Sequence, residues 1–165
     1  MKRSFAALLL LAMMLGFAAC GGTNGSNTQT VTVQDLTVTL PGRYINLSHN
    51  EYADGTQLLY GYGTAVVMAD REERAGFEAD YPDLNAYGYA NMFVITNDLV
   101  STVENRDGLV TFRYEKTVND RSFTYVCGVY RGKTHFWTVQ AYCPTADLTS
   151  LESEFMAILK SVIIA

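Results

Sequence analysis

Apart from its carboxylates, this 165-residue chain has only five cysteine and histidine side chains that could act as nucleophiles, metal ligands or proton carriers near neutral pH: Cys20, Cys127, Cys143, His49 and His135. Cys127 and His135 fall on the two arms of SFTYVCGVYRGKTHFWTVQAYC, residues 122–143, which reads as a β-hairpin turning at Arg131-Gly132-Lys133. A three-residue loop there sets Trp137 opposite Cys127 and makes His135 a diagonal neighbour of the thiol, about 7–8 Å away. That is too far for a thiol–imidazole hydrogen bond, and the thiol would lie under the tryptophan, so Cys127 reads as a buried core cysteine rather than half of a catalytic dyad. The same hairpin carries Cys143 five to seven residues beyond the position facing Cys127, roughly 16–24 Å along the strand. A disulfide needs Cα atoms within about 7 Å, so both cysteines are expected as free thiols. His49 stands in a polar loop near Glu51 and Asp54, three scattered oxygen and nitrogen ligands that do not amount to a metal site. There is no Gly-rich phosphate loop and no GxSxG, HExxH or CxxC motif. No catalytic residue, metal or cofactor is expected.

The elements that must position these residues are legible from alternation and turns. The segment 122–143 is rich in aromatic and β-branched residues and free of proline, as the middle of a sheet requires. A two-residue turn at Asn119-Asp120 places Phe112 opposite Cys127, Tyr114 opposite Tyr125 and Val110 opposite Val129. A second turn at Asp107-Gly108 adds Val103 to that face. With the hairpin loop at Arg131–Lys133, Val139 faces Tyr125 and Ala141 faces Phe123, which gathers the large residues on one face of the sheet. Upstream, Gln34–Leu40 alternates and stops at Pro41-Gly42, and Gln57–Tyr62 with Thr64–Met68 reads as a hairpin around Gly61 and Gly63. The acidic run Asp70–Asp83 reads as a solvated short helix or loop. Leu84–Thr96 reads as a helix capped by Asp83, with Leu84, Tyr87, Asn91 and Val94 on one face and Ala90 and Phe93 beside it, ending at Asn97-Asp98. After Pro144, a helix capped by Thr145 or Asp147 presents Leu148, Leu151, Phe155, Ile158, Leu159 and Val162 as a stripe that covers the sheet.

Aromatic side chains are abundant: 11 Tyr, 8 Phe and one Trp. Tyr44, Tyr52, Tyr60, Tyr62, Tyr87 and Tyr89 cannot all be buried if their hydroxyls need partners. Half-exposed tyrosine suits protein or glycan contact. Tyr60 and Tyr62 are the candidate binding residues, against the plainer alternative that both are ordinary sheet residues.

The N-terminus carries an address. Lys2 and Arg3 precede an uncharged run from Phe5 to Leu15, and Phe17-Ala18-Ala19 leads to Cys20. This is the pattern of a secretion signal, with an apolar run too short for a spanning helix. Small residues before a cysteine followed by Gly-Gly resemble the lipobox of bacterial lipoproteins, although Phe17 replaces the usual leucine. That resemblance implies a diacylglycerol on Cys20 and cleavage just before it. The next residues, GGTNGSNTQT (21–30), hold no apolar side chain and read as a tether of roughly 17 Å r.m.s. reach. The organisation expected is therefore a signal peptide at 1–19, a lipidated cysteine and tether at 20–30, and one domain at 31–165. Loss of Lys2 and Arg3 takes the formal charge from −5 to −7. Such a domain is repelled by an anionic bilayer and unsuited to nucleic acid, so the lipid must hold it to the membrane.

The opening LTVTLPGRY (36–44), the helix DLNAYGYAN (83–91) and the ending FWTVQAYCPTADLTSLESEFMAILKSV (136–162) together resemble the PsbP-like fold. That family includes the extrinsic photosystem II subunit and many small bacterial lipoproteins. The resemblance implies an α+β domain, an antiparallel β-sheet meander sandwiched by helices. It implies assembly or binding rather than catalysis, without carrying over the photosynthetic role. The function expected is a non-catalytic binding or assembly module, anchored in the membrane by its lipid, facing away from the cytoplasm, with another envelope protein as partner. The alternatives are a small-ligand carrier with an aromatic pocket between sheet and helix, and a thiol hydrolase using Cys127 or Cys143 with His135.

Overall fold

A computed structural model describes residues 27–48 and 56–165. Cys20, His49, Glu51, Tyr52 and Asp54 lie outside these residues. In chain order the strands are β1 (Thr28–Val33), β2 (Leu36–Pro41), β3 (Ile45–Asn46), β4 (Leu58–Tyr62) and β5 (Ala65–Glu73). Two helices follow, α1 (Ala75–Glu78) and α2 (Ala86–Thr96), then β6 (Glu104–Arg106), β7 (Leu109–Val118), β8 (Arg121–Arg131) and β9 (His135–Pro144). A 3-10 turn at Thr145–Asp147 leads into α3 (Leu148–Lys160), and β10 (Ile163–Ile164) closes the chain. The fold is α+β, and every strand pairing is antiparallel.

Seven strands form the main sheet in the order β3-β4-β5-β9-β8-β7-β6, with the β8–β9 hairpin at its middle. It is a meander except at one join, β5 to β9. A smaller sheet, β1-β2-β10, covers one face together with α3, and α1 and α2 cover the other. The main sheet is therefore buried on both faces. One core holds Trp137, Val139, Ala141, Phe155 and Leu159, and the other holds Tyr89, Phe112, Tyr125, Cys127 and Phe136.

The turn-based expectations for β6, β7 and β8 hold. Val110 pairs with Val129, Phe112 with Cys127 and Tyr114 with Tyr125. Asn119 and Asp120 both take positive φ, 49° and 60°, as do Asp107 and Gly108, 55° and 84°. Positive φ at both central residues is the turn whose twist matches a two-residue hairpin.

The β8–β9 register does not hold. Tyr125 faces Tyr142 instead of Val139, and Cys127 faces Gln140 instead of Trp137. The shift is three residues, because the chain turns at Lys133-Thr134, with the Gly132 amide donating to the His135 carbonyl at 2.8 Å. An odd shift exchanges faces. Trp137, Val139 and Ala141 go to the α3 side, so the large residues do not gather on one face. The physical reason is that Phe123–Val129 and Phe136–Cys143 are buried throughout. A strand buried on both faces has no polar–apolar alternation to set its register. Gly132, which suggested the turn, sits in a close-packed spot, where a Cβ would stand 2.9 Å from Asp35 Oδ2 and 3.2 Å from the His135 carbonyl.

β1 begins at Thr28, inside the stretch read as tether, and its alternate residues Gln29, Val31 and Val33 turn inward as it pairs with β2. β5 extends to Glu73, so the start of the acidic run is a strand. Helix α2 is capped by Asn85, whose side chain accepts from the Gly88 amide at 2.9 Å, and Asp83 takes no part. Val94 and Ala90 are buried as expected, but Tyr89 joins them in place of Tyr87, which is left 44% exposed. AYGYANMFVIT contains no charged residue, so its pattern cannot show which side faces water. The helix does end at Asn97-Asp98. Asp98 is left-handed (φ 52°), its amide reaches Ile95 O at 3.2 Å, and the Leu99 amide reaches Val94 O at 3.0 Å. These paired bonds satisfy carbonyls that the helix end would otherwise leave open.

Candidate functional site

The thiols and His135 do not form a site. Cys127 is fully buried on the α2 side, and burial pushes its pKa well above the ordinary thiol value. Its Sγ lies 3.9 Å from Gln140 Oε1. Cys143 is buried on the opposite face and is pushed up to about 11, first by burial and then by the charge of Asp147. The strand partner of Cys127 is Gln140, three residues from Cys143, so the two sulfurs point away from each other and both are free thiols. His135 pairs with Glu73 and lies at the far end of β9, in line with Trp137 rather than with Cys127. The distances expected from the sequence are replaced by a simpler exclusion, opposite faces of one sheet.

Tyr60 and Tyr62 alternate along β4 and share the α3 side. Tyr60 is half-buried against the core. Tyr62 is 44% exposed, with the Arg43 guanidinium 5.1 Å from its ring centre and the Tyr44 ring at 6.3 Å. Arg43 also pairs with Glu154 of α3, and Tyr44, itself buried, donates its hydroxyl to Glu154 at 2.8 Å. Ile45, 51% exposed, pairs with Gly61 and so lies on the sheet face opposite Tyr62, outside this patch. Gly42 adjoins the patch, and its amide donates to the Asn27 carbonyl at 2.6 Å. Asn27 is the first residue of the described chain. The patch thus lies where the N-terminal segment joins the domain.

A second group of polar side chains was not anticipated, because it sits in the run read as solvated. Asp70 and Glu72 are two apart on β5, facing α2. Asp70 pairs with Thr138 and Glu72 with Phe136. Burial pushes the Asp70 carboxyl up to about 6, with the Thr56 hydroxyl and the Gln140 amide holding it back and the charge of Glu72 adding to the rise. Glu72 is raised by burial and held back by the Tyr89 hydroxyl. Tyr89 comes from α2, and its ring stacks on Phe136 with centres 4.5 Å apart. Tyr114 donates to Gln140 Oε1 at 2.9 Å. Tyr114, Tyr125 and Tyr142 stack across three neighbouring strands, centres 4.6 and 4.7 Å apart, and fill the space beside this group. A carboxyl titrating near neutrality in such a setting is a candidate site. Its neighbours are phenols that burial makes weaker acids, so it is built to hold a hydrogen-bonding group rather than to attack one. The sequence signal was present in AVVMADREE, where Met68, Asp70 and Glu72 share one face at a spacing of two.

No protein-family model matches the chain, and no curated protein matches it. Among solved structures, it is similar to the cyanobacterial PsbP (CyanoP) of Synechocystis sp. PCC 6803, with a TM-score of 0.59 and 14% identity over 89% of this chain and 98% of that one. It is also similar to a protein from Bacteroides thetaiotaomicron VPI-5482, with a TM-score of 0.52 and 9% identity over 79% of this chain and 45% of that one. At these identities the likeness is one of architecture, and the domain has a PsbP-like fold.

Proposed function

We propose that this protein is a lipid-anchored, non-catalytic binding or assembly module of the cell envelope, held to the membrane through Cys20 and engaging an envelope protein through the patch of Arg43 and Tyr62. The observation that carries this reading is the position of that patch beside Asn27. Because β1 begins at Thr28, the link from Cys20 to Asn27 is shorter than the composition suggested. It reaches at most about 25 Å when fully extended. A tether this short keeps the patch near the membrane surface and raises its effective concentration toward membrane-bound neighbours. A rigid aromatic ring under a guanidinium is an anchor that loses little entropy on binding.

Packing counts against the two alternatives. Tyr89 on Phe136 and the Tyr114–Tyr125–Tyr142 stack occupy the place where an aromatic carrier pocket would lie. A thiol hydrolase would need Cys127 or Cys143 beside His135, and neither thiol has that position.

Two measurements test the reading. Wild type should fractionate with membranes and Cys20→Ala should be released or mis-processed; equal distribution of the two rejects the anchor. A photo-cross-linker at position 62 should give a discrete adduct with an envelope protein, weakened by Arg43→Glu. A cross-linking pattern unchanged by that substitution rejects the patch.

A further inference from the structure

Among the described residues, the main sheet has one pair of neighbouring strands that are not consecutive along the chain, β5 and β9. On its α2 side, the middle of this join carries three polar side chains among aromatic and aliphatic neighbours. Asp70 stands directly opposite Thr138, and Gln140 is the next residue of β9 on the same face. Directly opposed β-carbons lie about 4.5–5.5 Å apart and diagonal ones somewhat further, so the three side chains converge. Thr138 is 2% exposed and Gln140 1%. Asp70 Oδ2, Thr138 Oγ1 and Gln140 Nε2 are buried and make no hydrogen bond of ordinary geometry among the described residues, although the Gln140 side chain lies close enough to Asp70 to favour its charged form and the Tyr89 hydroxyl lies close to Thr138.

We propose that Asp70, Thr138 and Gln140 form an enclosed binding site for a single water molecule that bridges β5 and β9. The chemistry of the three atoms selects the ligand. Tyr114 Oη and Cys127 Sγ both lie on the Gln140 oxygen, so the amide nitrogen is the end left to donate. A water accepts from Gln140 Nε2, donates to Asp70 Oδ2 and exchanges a third bond with the Thr138 hydroxyl. Three bonds is the usual complement of a buried water. A metal cation would face the amide N–H of Gln140, and an anion would face the carboxylate of Asp70. Only a small neutral molecule that both donates and accepts satisfies all three. The site also constrains the join. A one-residue slip of β5 would turn Asp70 to the face of Trp137 and Ala141, where nothing comparable could receive it.

Crystals of the wild-type protein, grown with and without a thallium(I) salt, test this directly. The expected result is one density peak about 2.7–3.2 Å from all three atoms, with no anomalous signal in thallium. An anomalous peak there would make it a monovalent cation site and overturn the proposal. A direct Asp70 Oδ2–Gln140 Nε2 hydrogen bond with no peak between would overturn it too. Thr138→Val removes the hydroxyl at nearly constant shape and should abolish or displace the peak, while a peak unmoved removes Thr138 from the site. If that variant does not fold, the wild-type maps decide alone.

Discussion

Tyr130 folds back over Gly128 on β8, and its hydroxyl donates to the Leu159 carbonyl of α3 at 2.6 Å. A Cβ at Gly128 would stand 3.0 Å from Cε2 and Cζ of that ring, closer than carbon atoms pack. Glycine is required here by the approach of its neighbour, since its own backbone is ordinary strand. The contact ties the centre of the main sheet to the last turns of α3, next to the smaller sheet.

Gly128→Ala should therefore cost about 1–3 kcal/mol, as overpacking of a core does. Tyr130→Phe should cost about 1 kcal/mol for the lost hydrogen bond. Because Gly128→Ala displaces the ring, the double variant should cost less than the sum of the two. Urea unfolding of the four proteins measures this, and strict additivity would mean that the two residues are not coupled.

Asp70 sets the pH dependence on the α2 side. Its ordinary value of 3.8 rises to about 6 in the fold, so the folded protein binds more protons than the unfolded chain between these values. Stability should fall as pH rises through that window, and the penalty is complete above about pH 6. Glu72, raised in the same sense, adds to it, and the Tyr89 and Tyr114 phenols facing Asp70 stay neutral throughout. Asp70→Asn should stabilise the protein at pH 8 by about 1–3 kcal/mol, with partial solvent contact keeping the gain toward the lower figure. The gain should vanish below the unfolded-state value. A variant equally stabilised at all pH would show that charge is not the cause.

The two core thiols should be inert in the folded protein. Neither Cys127 nor Cys143 should react with a disulfide reagent at pH 8, since burial raises both pKa values. Both should react after unfolding without reductant. Mass spectrometry checks this, and a two-proton deficit with no label on either would contradict their placement on opposite faces.

Tyr60 and Tyr62 should separate on substitution. Tyr60→Ala removes a ring packed on the core and should cost about 1–3 kcal/mol. Tyr62→Ala should leave stability within about 0.5 kcal/mol, as surface changes usually do, and should affect partner cross-linking alone. A large loss of stability in Tyr62→Ala would make it a structural residue and withdraw it as an anchor.

What the sequence determined by itself are the features set over short range. Asn119-Asp120 and Asp107-Gly108 favour turns with two positive φ values, and such turns dictate pairing for the whole of β6, β7 and β8 without help from elsewhere. Phe155, Ile158 and Leu159 form an apolar stripe against polar neighbours, so the buried side of α3 was legible as well. The tertiary structure decided what depends on distant partners. β8 and β9 are apolar on both faces, so their register waits on what packs above and below, and three residues of shift moved Trp137 from one core to the other. β1 is a polar strand that looks like linker until β2 pairs with it, and β10 becomes a strand only because Leu36 and Thr37 are there to receive it. The site at Asp70, Thr138 and Gln140 belongs to this second class. Its members are 68 and 70 residues apart in the chain, and only the β5–β9 pairing brings them to one face. The exposure of Tyr62 beside a buried Tyr44 was likewise invisible in composition, because burial is a property of the neighbours that fold over a side chain and not of the side chain alone.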